Sequence, residues 1–278
     1  MGAPVSAVRG LVSSVYKASA GAAYTFQSSA DGNHLIVRGI PLVLIGTMGL
    51  AQYDPLTLTT PPHSPEGVGS IAPAPANTPW ATEPSTDEIL QRMEREFTMF
   101  ASWLSVTAAQ TPRLYFTGEP MLEVLWQTMM AGVFPNGVDA ERALFTQWYQ
   151  ASLTLMNLIL SLRESPWLRT IAVSAYSAYK ATTGGFAHRS SFLFRTNYVT
   201  TNRAVFRTTA VAPSFGYAGL APRGSRVGDM VVIVEGSDVP FVMRLRGELW
   251  ELVGACYVHG IMGEQMYRPE KCVYMMLV

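Results

Sequence analysis

The fold is decided by Gly216-Tyr217-Ala218-Gly219-Leu220-Ala221-Pro222, followed by Gly228-Asp229 and then by Leu252-Val253-Gly254-Ala255-Cys256-Tyr257-Val258-His259-Gly260-Ile261-Met262-Gly263-Glu264. In the segments around these stretches, apolar side chains recur with a period of two, which is the period of a strand. Gly-rich turns separate the segments. Five strands are predicted, at 205–209, 230–234, 240–245, 250–258 and 273–277. Short strands about ten residues apart predict a small antiparallel sheet or a barrel.

A hairpin is predicted near the other end of the chain. Residues 24–28 and 35–38 alternate apolar and polar side chains, and Asp31-Gly32-Asn33 between them supplies turn chemistry. The short apolar run at 40–45 predicts a further strand. A lone hairpin is too small to be stable in water. We therefore expect the hairpin to pair with the C-terminal strands.

The middle of the chain combines a Pro-rich segment with helical patterns. Residues 54–84 contain eight prolines among Thr, Ala and Gly, a composition that buries little surface and predicts a mobile linker or surface loop. A capping box at Ser85-Thr86-Asp87-Glu88 then opens a helix that ends before Pro112. Three more helices are predicted, from Gly118-Glu119-Pro120 to about Gly132, from Asp139 through Leu162, and from Ser165-Pro166 to Gly184-Gly185.

These patterns predict an α+β fold. A small antiparallel β-sheet or SH3-like barrel is built from the N-terminal hairpin and the C-terminal strands, with an inserted four-helix block. The predicted divisions are a hairpin and strand at 1–50, a Pro-rich linker at 51–85, a helical block at 86–196 and an antiparallel β domain at 197–278.

Composition excludes several classes of function. Twenty basic and twenty acidic residues balance in 278, so the chain lacks the positive charge of a general nucleic-acid binder. The longest apolar runs, at 40–51 and 153–162, are shorter than the ~20 residues needed to cross a bilayer. The N-terminus lacks the basic and apolar regions of a secretory signal. We expect a cytoplasmic protein whose two cysteines, Cys256 and Cys272, are free thiols.

The C-terminal motifs resemble the region downstream of the HET domain in fungal heterokaryon-incompatibility proteins. In that family a Gly-Tyr-x-Gly-Leu-x-Pro turn, a Gly-Asp, a Pro-x-x-x-Arg strand and a Val-Gly-x-Cys-Tyr-Val-His-Gly-Ile-Met strand follow one another, and Pro240 and Arg244 occupy the third motif here. The resemblance covers residues 24–48 and 203–264. It finds no counterpart of the HET domain itself.

Three positions depart from the family pattern. Val43 replaces a frequent acidic residue, Ala221 replaces a usual glycine, and Met262 leads directly to Gly263-Glu264 without an intervening acidic residue. These departures suit a degenerate or truncated family member. They also weaken any polar site built on those positions.

Four residues are candidates for a polar or binding site: Tyr217, Arg244, His259 and Glu264. Tyr217 is predicted to be held against the sheet by a tight turn. Arg244 is predicted to be exposed if its strand alternates regularly, or to pair with Glu264 if it is buried. His259 is favoured as a hydrogen-bonded structural histidine, since a second metal ligand at suitable spacing is missing. No cofactor or metal is predicted.

Cys256 is a candidate nucleophile. Cys256 and His259 are three residues apart in a strand, so their side chains are predicted to point to opposite faces. Packing is therefore the favoured role of this cysteine, since free cysteines are usually buried.

Three functions remain in competition. The first is a non-catalytic regulatory or interaction module, whose context of allorecognition or programmed cell death is implied by the resemblance alone. The second is a hydrolase or transferase that uses Cys256, His259 and Glu264. The third is a peptide-binding β-barrel that docks a Pro-rich segment such as residues 54–84. Protein partners are expected in the first and third cases.

Overall fold

The computed structural model of this protein describes residues 16–51, 86–109, 111, 113–162, 171, 173–175, 178, 191–209 and 216–278. Its named helices are α1 (Thr86–Val106), α2 (Met121–Met129), α3 (Val138–Leu162) and α4 (Ser191–Thr200). Its strands are β1 (Phe26–Ser28), β2 (Leu35–Met48), β3 (Arg203–Thr208), β4 (Ala218–Pro222), β5 (Met230–Val234), β6 (Phe241–Arg246), β7 (Leu249–Ala255), β8 (Tyr257–Val258) and β9 (Val273–Leu277).

Five of the strands close into a ring. The order around it is β2, β5, β6, β7 and β9, and β9 returns to β2. All the pairs in this ring are antiparallel except β7 with β9, where Trp250 lies opposite Leu277 in a parallel bridge. A closed ring removes the exposed sheet edges that favour aggregation.

The other strands extend from β2. Its N-terminal part also pairs with β1, and its C-terminal part pairs with β3, which continues into β4 and β8. Gly219 of β4 lies so close to β8 that a Cβ there would overlap the carbonyl oxygen of Tyr257. A residue without a side chain is required at that crossing.

The apolar core of the described residues is divided into five clusters. Inside the ring, Val37, Val232, Met243, Met275 and Leu277 pack together. The largest cluster lies where the helices meet the sheet, and it contains Trp103 of α1, Trp126 of α2 and Val205 of β3. Burial of such large side chains contributes about 1.5–3 kcal/mol each.

Helix α1 is also bonded to the end of β2. The indole Nε1 of Trp103 donates to the carbonyl of Leu50 at 2.7 Å, and the Ser102 hydroxyl accepts from the Leu50 amide at 2.9 Å. These two bonds join the sheet to the first helix.

The predicted α+β class is confirmed, as is the pairing of the N-terminal hairpin with the C-terminal strands. The three predicted helices that fall in the described part correspond to α1, α2 and α3. Of the fourth predicted helix, residues 171, 173–175 and 178 are helical and the others lie outside the described residues.

Four details of the prediction were wrong. Residues 35–38 and 40–45 form one strand, not two, because β2 continues through two register shifts. Residues 218–222 are a strand instead of a turn, since β3 and β8 pair with them. The strand predicted at 250–258 is interrupted at Cys256, and helix α4 was not predicted. The Pro-rich segment at 54–84 lies outside the described residues.

Candidate functional site

Arg244 does not pair with Glu264. Its Nε donates to Oδ1 of Asp229 at 2.8 Å and its Nη2 donates to Oδ2 at 2.9 Å, a two-point contact with a buried carboxylate. Nη2 also donates to the carbonyl of Gly224. These bonds with Asp229 raise the pKa of Arg244. The predicted pair was wrong because the Gly228-Asp229 motif, which opens β5, places a carboxylate beside β6.

Glu264 lies elsewhere, on the surface. It begins a short 3₁₀ turn at Glu264–Met266 and lines an open hollow together with Lys17, Gly263, Gln265 and Arg268. It makes no contact with His259 or Arg244 among the bonds of the described residues. The structure therefore separates the four candidate residues into different environments.

His259 is the centre of a buried polar network. Its Nε2 lies 2.8 Å from Oε2 of Glu119, and its Nδ1 lies 3.1 Å from the hydroxyl of Tyr257. Both ring nitrogens thus have a partner, and the imidazole is almost fully buried. The prediction of a hydrogen-bonded histidine is consistent with this geometry.

Glu119 joins this network from the segment that leads into α2. Its carboxylate accepts from the Thr117 hydroxyl at 2.7 Å and from the Gln127 amide at 3.0 Å, in addition to its contact with His259. Burial alone would raise the pKa of Glu119, but these hydrogen bonds outweigh it and hold the pKa below its ordinary value. The carboxylate is therefore ionised near neutral pH.

Tyr115 forms a second connection between the same two parts of the chain. Its hydroxyl donates to the carbonyl of His259 at 3.1 Å and accepts from the amide of Ala218 at 3.0 Å. Burial raises the pKa of this phenol, so it stays neutral and acts as both donor and acceptor. One side chain from the helical region thus satisfies two backbone groups of the sheet.

Tyr217 packs beside this network without joining it. Its ring meets Phe116 edge to face, with centroids 5.3 Å apart. Its hydroxyl makes no hydrogen bond within the described part of the chain. Tyr217 therefore contributes aromatic packing at the surface of the network.

Cys256 and His259 belong to different clusters. Cys256 is fully buried among apolar side chains that include Val43, Phe206 and Val242, whereas His259 faces Glu119 and Tyr257. Burial raises the pKa of the Cys256 thiol to about 12, although nearby Arg203 partly opposes the shift. At neutral pH the thiol is protonated and a poor nucleophile.

Sequence reasoning missed Glu119 and Tyr115 as members of the site. The Gly118-Glu119-Pro120 signal located the start of a helix, but 140 residues separate Glu119 from His259. No local pattern indicates a contact over that distance. Among the described residues, no group of three His, Cys, Asp or Glu side chains is placed to hold a metal ion.

The Tyr115 hydroxyl can be tested by removing it. We expect Tyr115→Phe to lower the free energy of unfolding by about 1–3 kcal/mol, because a buried amide and a buried carbonyl lose their partner. Tyr217→Phe is the matched control, and its effect should stay within about 0.5 kcal/mol. Urea denaturation measures both. Equal losses in the two variants would contradict the bridging role.

The ionised state of Glu119 predicts a pH dependence. The pKa of Glu119 is lower in the folded chain than in the unfolded one, so its contribution to stability is complete above the unfolded pKa and disappears as the pH falls through the folded pKa. Stability should therefore decline as the pH falls below the ordinary pKa of a glutamate, about 4.3, and less steeply in Glu119→Gln. Denaturation at pH values above and below this pKa is the measurement, with the exposed Glu248→Gln as control. An unchanged slope in Glu119→Gln would count against the network.

Comparison with known proteins adds one finding to this geometry. The family model of the Het-6 beta-barrel domain matches residues 139–278, which is half of the chain. No curated protein and no solved structure matches. The matched region contains Arg244 and the whole motif from Leu252 to Glu264, which includes Cys256, Tyr257 and His259. None of the helices within the described residues is long and apolar enough to cross a membrane. The chain belongs to the Het-6 beta-barrel domain family.

Proposed function

We propose that this protein is a non-catalytic regulatory or interaction module of a fungal heterokaryon-incompatibility-like protein. It acts in the cytoplasm through protein partners, in allorecognition or programmed cell death, and binds no nucleic acid. Family membership supports the relation to incompatibility proteins. The interaction role rests on the surface of the barrel.

The main support for this role is a row of four apolar side chains at one end of the ring. We call this row, which consists of Leu245, Trp250, Leu277 and Leu35, the barrel rim. Leu245 lies opposite Trp250, Trp250 lies opposite Leu277, and Leu277 lies opposite Leu35. Directly opposed residues project from the same face of a sheet. Four neighbouring strands therefore contribute one apolar side chain each to a continuous row.

The barrel rim is only partly covered. Leu245 is 57% exposed and Leu35 is 42% exposed, whereas Leu277 is buried in the ring interior. The row thus runs from the barrel core to solvent. Contiguous exposed apolar surface on a soluble protein commonly marks an interaction site. A partly buried aromatic such as Trp250 beside exposed aliphatic residues is typical of an anchor position.

The same rim supports a second candidate, a peptide-binding barrel. An extended peptide presents alternate side chains to one surface, and a row of apolar positions on neighbouring strands suits such a ligand. The two candidates differ in the partner: a short peptide is sufficient for the second, whereas the first requires a folded protein.

The hydrolase alternative has less support. It needs an activated thiol beside a base, but Cys256 packs among apolar side chains and both nitrogens of His259 have other partners. A nucleophile and its base must come within hydrogen-bond reach for catalysis.

The barrel rim can be tested by proximity labelling in a filamentous fungus. We expect Leu245→Ser to remove specific labelled proteins, because it replaces an exposed apolar contact by a polar group. Val227→Ser is the matched control, since Val227 is 62% exposed in the turn before β5. Thermal unfolding must show that both variants fold. Identical labelling in wild type, Leu245→Ser and control would contradict the rim as the interaction surface. Loss of labelling in the presence of synthetic extended peptides would favour the peptide-binding barrel.

The absence of thiol chemistry is tested separately, by alkylation at neutral pH. We expect iodoacetamide to modify the partly exposed Cys272 in the folded protein and Cys256 only after denaturation, because Cys256 is fully buried. Cys256→Ala should cost on the order of 1 kcal/mol through the small cavity it leaves. Mass spectrometry of peptides identifies the labelled residue. Rapid alkylation of Cys256 in the folded chain would reveal an activated thiolate and support the hydrolase alternative.

A further inference from the structure

An open hollow lies where the N-terminal segment meets the turns after β8. Its volume is about 490 Å3, and it is lined by Lys17, Gly263, Glu264, Gln265 and Arg268. The hollow is separate from both the His259 network and the barrel rim.

Backbone contacts fix the walls of the hollow. The amide of Lys17 donates to the carbonyl of Met262 at 2.9 Å, which holds the N-terminal segment beside Gly263. The side-chain oxygen of Gln265 accepts from the amide of Gly263 at 3.1 Å, and Nη1 of Arg268 donates to the carbonyl of Tyr267 at 2.7 Å. The side-chain nitrogen of Gln265 has no acceptor within the described residues.

The charged side chains of the hollow differ from three arginines of the barrel strands. Arg38, Arg244 and Arg246 each pair with a carboxylate. Lys17, Arg268 and Glu264 form no ion pair within the described part of the chain, although they line the same hollow. Two cations and one anion therefore line the same hollow without an ion pair among the described residues.

This arrangement selects a ligand with both signs of charge. A carboxylate suits the ammonium of Lys17 and the guanidinium of Arg268, and a guanidinium binds carboxylate well. An ammonium group suits Glu264. A purely anionic ligand such as phosphate would gain from the two cations but would be opposed by the Glu264 carboxylate.

We propose that this hollow binds a free α-amino acid, with its carboxylate at Lys17 and Arg268 and its ammonium at Glu264. The Gln265 nitrogen supplies a further donor to the carboxylate. The site goes beyond the interaction role proposed for the barrel rim and does not depend on it. An interaction module with such a site would respond to a small metabolite as well as to a protein.

The probes are the twenty standard amino acids, each titrated alone into the full chain. Acetate, methylammonium and inorganic phosphate are the single-charge probes, and triglycine tests whether a peptide with distant ends is accepted. NMR chemical-shift changes measure the affinities. We expect at least one amino acid to bind with a dissociation constant in the millimolar range, as a few exposed ion pairs allow, and more tightly than every single-charge probe and triglycine.

Charge-removing variants identify the site. Lys17→Met and Arg268→Met should each weaken binding of the amino acid about two- to fivefold, the range of exposed ion pairs. Glu264→Gln should weaken the amino acid but strengthen acetate and phosphate, because the repelling carboxylate is gone. Lys271→Met is the matched control, since it removes an exposed cation outside the hollow, and should change nothing. Thermal unfolding confirms that all four variants fold.

Several results would overturn the proposal. Equal affinities for amino acids and acetate would show a plain anion site, and tighter binding of triglycine would assign the hollow to peptides. No detectable binding of any amino acid, or equal losses in Lys271→Met and Lys17→Met, would exclude the hollow as an amino-acid site. None of these results bears on the labelling experiment at the barrel rim, so the two proposals fail independently.

Discussion

The hydrogen bonding of β2 along both of its edges is the constraint on which the rest of the structure depends. Its N-terminal part pairs with β1 and β9, its middle with β5 and its C-terminal part with β3. Two register shifts, at 41/43 and 45/47, let one strand serve both the ring and the extension, as bulges do by bending a strand. Because β2 has neighbours on both edges, its backbone packs closely against theirs. At Gly39 a Cβ would lie 2.7 Å from the carbonyl oxygen of Ile233, so only glycine fits.

The sequence was informative wherever a local period or turn residue determines the structure. The strands at 230–234 and 273–277 agree with their predicted bounds, because each is a short apolar run that contains β-branched or aromatic residues. Strand β4 was missed because Ala218-Gly219-Leu220-Ala221-Pro222 has little intrinsic preference for a strand. It is a strand because β3 and β8 supply partners on both sides, and that information is not local.

In the candidate site, too, some features follow from the local sequence and others depend on tertiary contacts. Burial of His259 and Cys256 follows from the apolar character of the segment around them. Neither residue lies in a strand, because β7 ends at Ala255 and β8 is Tyr257–Val258, so strand alternation does not explain the separation of their side chains. The hydrogen-bond partners of the site residues do not follow from the local sequence. Both Asp229 and Glu264 are carboxylates that could pair with Arg244. Arg244 pairs with Asp229 because β5 and β6 are neighbouring strands. Glu119 reaches His259 because Tyr115 fixes the segment before α2 against β4. A partner chosen by tertiary packing leaves no signal in sequence spacing.

The buried Glu235 carboxylate is hydrogen-bonded by side chains from several parts of the barrel, which favours one arrangement of the strands. Glu235 accepts from Arg38 at 2.9 Å and from the Tyr267 hydroxyl at 2.8 Å, with Thr25 as a further donor. Thr25 precedes β1, Arg38 lies in β2, Glu235 follows β5 and Tyr267 lies before β9, so four parts of the barrel meet at one carboxylate. An alternative register would leave that carboxylate buried without partners, at a cost of several kcal/mol.

The unit that folds is larger than the region that identifies the family. Residues 139–278 include seven of the strands, but β2 lies outside them. Without β2, β9 retains only the single bridge to β7, and β5 loses one of its two neighbours. The segment that supplies Tyr115 and Glu119 lies outside the match as well, so His259 would lose its carboxylate and Ala218 its buried acceptor. The barrel and the His259 network therefore both depend on residues N-terminal to the matched region, and the helices between β2 and β3 form part of one folding unit with the barrel.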